Sequence, residues 1–295
     1  MPNYKMSCFK MWFTKNFLFF IFFNLIIEFN LISQNYTWLH GSNSNGVTGI
    51  YGTQGISSPT IDPGGRHGAA TWVDASGNLW LFGGEGYSTS NNVCWLNDLW
   101  KYNVSTNQWT WIRGSNGPNQ IGNYGLQGIA SVSNEPGARE FSASWVDASG
   151  NFWLFGGDGF SSNNTFGRLG DLWKYNPITN IWIWMKGFNI INQNGVYGSQ
   201  GTSSINNNPG ARYGSATWLD ATGNLCMFGG RGFPASGFGG FLNDFWKYNV
   251  TSNQWTWING SNLTGQIGNY GTINITSPSN SPGGKEFPSF WKGSN

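Results

Sequence analysis

Charged side chains are scarce in this sequence: Asp, Glu, Lys and Arg make up 9% of its 295 residues, against about a quarter in an ordinary soluble domain. The formal net charge is +2, and removal of residues 1–33, with three Lys and one Glu, would bring it to zero. A neutral domain has no basic face, which argues against nucleic acid as a partner. Cysteine is nearly absent as well. Of the three, Cys8 lies in the N-terminal segment, Cys94 in an expected loop, and Cys226 in an expected strand at the place held by Trp80 and Trp153 elsewhere in the chain. That leaves no disulfide framework.

Histidine is represented only by His40 and His67, and no zinc spacing, nucleophile elbow or phosphate-binding loop occurs. After residue 33 nothing is apolar enough to span a membrane. Before it, Lys5, Lys10 and Lys15 precede an apolar run from Phe17 to Ile27, interrupted by Asn24 and followed by Glu28. Eleven residues are too few to cross a hydrocarbon core of about 30 Å as a helix. Residues 1–33 are therefore expected to be a cleaved signal peptide, with an uncleaved membrane anchor over residues 17–32 as the rival. Either one directs the chain outward, to an extracellular or periplasmic location. Asn-x-Ser/Thr sequons begin at Asn35, Asn103, Asn163, Asn249, Asn259, Asn262 and Asn274.

What the chain has in abundance is glycine (44) and tryptophan (18), a composition for short strands and tight turns rather than disorder. These residues recur. Pro63, Trp72, Gly83-Gly84, Asp98, Trp100 and Trp109 reappear 73 residues later as Pro136, Trp145, Gly156-Gly157, Asp171, Trp173 and Trp182. The same step leads to Pro209, Trp218, Gly229-Gly230, Asp244, Trp246 and Trp255. One structural unit is repeated. In the second copy, Phe141–Val146 reads as a strand, 147–151 as a hairpin turn, and Phe152–Phe155 as a second strand ended by Gly156-Gly157. A loop then runs to Gly170, Leu172–Tyr175 is a third strand, and Ile181–Met185 a fourth after an Asn-Pro turn. Four short antiparallel strands make the blade of an all-β propeller.

The Gly-Gly pair closing a strand, the Tyr of the next strand and the Trp beyond it occur as Gly83-Gly84, Tyr102 and Trp109. They recur as Gly156-Gly157, Tyr175 and Trp182, and as Gly229-Gly230, Tyr248 and Trp255. The pattern resembles the kelch repeat and is similar to the propeller domain of galactose oxidase. The resemblance implies a kelch-type β-propeller and, since kelch propellers bind proteins through one face, a location for binding. The copper chemistry of galactose oxidase is not implied, because its ligand set and cross-linked Tyr-Cys have no counterpart; no cofactor or metal is expected.

At 73 residues the unit exceeds a kelch repeat of about 50. The excess falls between the fourth strand and the next first strand, and it too recurs: Gly49-Ile-Tyr-Gly matches Gly122-Asn-Tyr-Gly, Gly195-Val-Tyr-Gly and Gly268-Asn-Tyr-Gly. Tyr51, Tyr124, Tyr197 and Tyr270 are expected to plug grooves, the alternative being ligand stacking. Blades are bounded at 63–135, 136–208 and 209–281, preceded by a lone outer strand and long loop (34–62) and followed by the start of another repeat (282–295). Three complete blades with strand fragments at both ends form an incomplete ring, which would be a truncated propeller or one that closes by self-association.

Function is expected on the rim that carries the long loops. Trp95, Arg168 and Phe241 stand at one aligned position there and are residue types favoured at interfaces. Arg66, Arg139 and Arg212, with Lys285, precede the first strands at the same period. They form either a cationic ring for an anionic ligand or ion pairs with Asp98, Asp171 and Asp244. Asp74-Ala-Ser-Gly-Asn78 and its copies read as hairpin turns rather than calcium loops. Glu140 and Asp158 offer a carboxylate pair for a glycan-cleaving cleft. The chain is read as a non-enzymatic, secreted module binding a protein or a glycan, with a self-assembling surface protein and a carbohydrate-active enzyme as alternatives.

Overall fold

The computed structural model describes residues 37–289, and the leader expected over residues 1–33 lies outside them. The described residues from Leu39 onward form one compact unit. Among the described residues every regular element is a strand, and no helix is long and apolar enough to cross a membrane.

The first blade comprises Arg66–His67, Ala70–Val73, Leu79–Tyr87, Val93–Asn103 and Gln108–Arg113, paired antiparallel in order outward from the innermost segments. The second repeats it as Arg139–Glu140, Ala143–Val146, Phe152–Phe160, Phe166–Asn176 and Ile181–Phe188. In the third, Ala216–Leu219, Leu225–Phe228, Phe245–Asn249 and Gln254–Asn259 form the blade. Arg212–Tyr213, Arg231–Gly232 and Gly240–Phe241 form a separate small sheet above it.

Three expectations change here. The second strands of the first two blades do not end at Gly-Gly but run on, to Tyr87 and Phe160, so the expected loops are mostly β-ribbon. Cys94 therefore sits buried in a strand rather than in a loop. The glycines are needed where the ribbon passes the next blade. Gly156 has φ +64°, and a Cβ there would stand 2.4 Å from the carbonyl oxygen of Arg212, so the backbones touch only because no side chain intervenes. The first strand is also shorter than read: it begins at Ala143, because Phe141 has φ +54° and breaks the pairing.

Blades pack through aromatic rings. Trp72, Trp80 and Phe82 of the first blade share a buried cluster with Phe152, Trp173, Tyr175 and Trp182 of the second, and the arrangement repeats between the second and third. At both joints a tryptophan also bonds across: Trp72 Nε1 donates to the Trp153 carbonyl (3.3 Å) and Trp145 Nε1 to that of Cys226 (2.9 Å). Buried indole N–H groups usually find such partners.

The recurring insertion packs onto the blade that follows it. Ser57–Ser58 adds an outermost strand to the first blade and Ser203–Ser204 to the third. Tyr51, Tyr124 and Tyr197 are buried, each against two tryptophans of the blade that follows it, whereas Tyr270 is 73% exposed. At the chain ends, residues 37–39 and 285–289 form no strand. Gly230 nonetheless donates to the Lys285 carbonyl, and the Lys285 amide to that of Leu242. Three blades in an open ring are thus what the described residues contain.

Candidate binding face at the channel mouth

Arg66, Arg139 and Arg212 lead into the innermost strands, where the sequence left two readings open; the geometry realises the ion pairs. Arg139 forks onto Asp171 at 2.7 and 2.8 Å, and its remaining bonds go to the carbonyls of Gly156 (3.1 Å) and Gly137 (3.0 Å). Asp171 Oδ2 also accepts from Tyr124 Oη (2.6 Å) and Trp173 Nε1 (2.7 Å). Arg66 with Asp98 and Tyr51, and Arg212 with Asp244 and Tyr197, reproduce the network. Burial, reinforced by the Asp171 charge, holds the Tyr124 phenol well above its ordinary pKa and keeps it a donor. These arginines are structural, with four of their five N–H donors already used. These three positions therefore supply no ring of free guanidinium groups.

The next residue along each innermost strand is a different matter. His67, Glu140, Tyr213 and Glu286 occupy one repeated position, Glu85, Asp158 and Arg231 the position paired across from it, and Trp95, Arg168 and Phe241 the one beyond. The arginine before the first of these positions and the Gly-Gly pair before the second recur in all three blades; the residues at these positions do not.

The segments carrying them are stitched around the axis by backbone bonds: Phe141 N donates to Gly68 O, Gly214 N to Phe141 O, and Phe287 N to Gly214 O. Phe141 and Phe287 adopt φ +54° and +50°, a conformation that bulky residues seldom hold. Their rings lie over Gly68 and Gly214, where a Cβ would come within 3.1 and 3.0 Å of them.

The three expected contact residues therefore reach the same face but differ in company. Trp95 Nε1 donates to Glu140 Oε1 (3.1 Å), and its ring centroid lies 4.2 Å from that of Phe166. Arg168 stacks its guanidinium over Tyr213 and Phe233, 3.9 Å from Asp158. Phe241 is exposed, with Arg231 over its ring. His67 lies 3.5 Å from Glu85 and 3.4 Å from Glu140.

Burial raises the Glu140 pKa, and the neighbouring Glu85 adds to it against the Trp95 hydrogen bond; burial also pushes Asp158 up to about 6. Sequence reasoning missed His67, Glu85, Tyr213 and Arg231, although alignment of the three copies exposes them as variable columns beside invariant ones.

The 74–78 turn is closed by its own side chains. Asp74 accepts from the Ser76 and Asn78 amides, the Asn78 side chain and Trp80 Nε1, so both its oxygens are engaged. That fits a hairpin turn.

Blades of this construction define a β-propeller, and the kelch motif model matches residues 66–114 and 220–262. Two stretches of the chain thus match the kelch motif, and the described residues form propeller blades in a ring that is not closed. Among solved structures, YjhT is similar with 16% identity and a TM-score of 0.44, over 68% of this chain and 54% of that one. A fungal alcohol oxidase of the AA5 family, in complex with copper, is similar with 15% identity and a TM-score of 0.36, over 70% of this chain and 32% of that one. The chain spans about half the length of the first and a third of the second. No curated protein matches it in sequence.

Proposed function

We propose that this propeller is a secreted binding module whose ligand docks at the channel mouth, on the rim where the β-ribbons project. The observation that carries this reading is the convergence there of three columns that differ between copies, beside columns that do not: Arg66, Arg139 and Arg212, and the Gly83-Gly84, Gly156-Gly157 and Gly229-Gly230 pairs. Within a repeat, a fold requirement acts on every copy alike, so chemistry specific to one copy serves something other than the blade.

The ligand that suits the face best is a glycan. Trp95, Tyr213 and Phe241 offer ring faces, and Glu85, Asp158, Arg168 and Arg231 stand between them as planar donors and acceptors for hydroxyl groups. A partner protein is the second reading, favoured by the Trp–Arg–Phe column, since these side chains anchor protein interfaces.

Glycan-array binding by the purified chain, repeated with Trp95→Ala and Phe241→Ala, tests the proposal. Recognition of a glycan class that both variants lose by tenfold or more supports it. Undiminished binding in both variants, or no glycan bound at all, overturns the glycan reading.

A further inference from the structure

We propose that His67, Glu85 and Glu140 form a binding site for a divalent first-row transition-metal ion, bridging the first and second blades at the channel mouth. His67 and Glu85 are direct partners across two antiparallel strands, and Glu140 comes from the innermost segment of the next blade. One ligand atom from each lies within 4.8 Å of the other two. His67 Nε2 stands 3.5 Å from Glu85 Oε2 and 3.4 Å from Glu140 Oε2. A tetrahedral ion with bonds of about 2.0–2.1 Å holds its ligand atoms about 3.3 Å apart.

Three further observations point to a ligand. Glu140 Oε2 is buried yet accepts no hydrogen bond, an arrangement that costs free energy unless something fills it. Glu140 Oε1 is held by Trp95 Nε1 at 3.1 Å, the kind of outer contact that fixes a carboxylate for coordination. Position 68 is glycine, and a Cβ there would stand 3.1 Å from that same Oε2, so the space beside the oxygen depends on the missing side chain.

The site is confined to one blade joint. At the second joint the equivalent residues are Glu140, Asp158 and Tyr213, and at the third Tyr213, Arg231 and Glu286, where Tyr213 Oη donates to Glu286 instead (3.1 Å). Neither offers an imidazole with two carboxylates. An imidazole ligand disfavours calcium and magnesium and suits zinc and its neighbours. Three protein ligands, with the histidine exposed, leave a coordination position open toward solvent, where a ligand oxygen could enter.

The inference deepens the channel-mouth reading but stands on its own donor set. Zinc is the probe: calorimetric titration of the chelator-treated full chain should show one ion bound per chain. His67→Ala and Glu140→Gln should each weaken it at least tenfold, while Asp158→Asn, outside the donor set, should not. Cobalt substitution should give the intense visible absorption of a four-coordinate ion. No zinc uptake, or uptake undiminished in both His67→Ala and Glu140→Gln, overturns the site. A chain that binds zinc through these residues but recognises no glycan keeps the metal site and overturns the glycan reading, and glycan binding without zinc does the reverse.

Discussion

At the scale of the residue, buried charge carries the sharpest consequences. The Arg139–Asp171 pair is fully enclosed, with side chains 1% and 0% exposed, and removing one member of such a pair leaves the other uncompensated. Arg139→Ala is expected to cost about 3–5 kcal/mol, measured by urea unfolding. Arg139→Lys should recover little of it, because an ammonium cannot fork onto the carboxylate. Tyr124→Phe should cost about 1.5–3 kcal/mol through its lost bond to Asp171.

Glu135 titrates differently. Burial pushes it up to about 7 against the opposing pull of Arg113, whose Nε lies 3.0 Å away. A carboxyl whose folded pKa exceeds its unfolded value of 4.5 binds more protons when folded. Its contribution is therefore complete below pH 4.5 and declines as pH rises through about 7. Glu135→Gln should flatten that decline in melting temperature. The Arg–Asp pairing was legible in the sequence as opposite charges recurring at one period. The raised Glu135 was not, because nothing local marks that carboxyl for burial.

At the scale of the element, the recurring insertion is a clamp on the blade that follows it. Tyr124 reaches Asp171 across 47 residues of sequence, Gly128 N donates to Trp184 O, and Asn134 Nδ2 bonds the carbonyls of Ile129 and Trp182. Gly125 makes the turn possible at φ +60°, where a Cβ would meet Asn134 Oδ1 at 2.4 Å. Gly125→Ala should therefore loosen the clamp locally. Amide exchange should accelerate over residues 123–135 while Phe152–Phe160 keeps its protection; uniform acceleration across both would show that the insertion is integral to the blade core. The Gly-Tyr-Gly recurrence was visible in the sequence. Its attachment was not, because the partners lie tens of residues downstream. The ribbons past Gly-Gly were hidden for a related reason: glycine usually ends a strand, and here it lets one continue past a neighbouring backbone.

At the scale of the whole molecule, the repeat divides the labour. Residues identical in all copies build blades and joints: the Gly-Gly pairs, the Arg–Asp–Tyr–Trp networks, and the tryptophans that donate across each joint. Trp145→Phe, which keeps the ring but loses the bond to Cys226 O, should cost about 0.5–1.5 kcal/mol in thermal unfolding. Blade and repeat were readable because periodicity averages over copies. The mouth was only partly readable, because one copy of each variable column gives no period, and which columns face one another depends on the ring's curvature.

The central claim is that these variable positions are dispensable for folding. It is tested by giving the first joint the residues of the third, which shares its Gly–Phe stacking, in the double variant His67→Tyr and Glu85→Arg. The thermal midpoint should stay within about 2–4 °C of the native protein, equivalent to about 1 kcal/mol for a chain of this size. Loss of cooperative unfolding, or a fall of more than about 10 °C, would contradict the division between residues that fold and residues that bind.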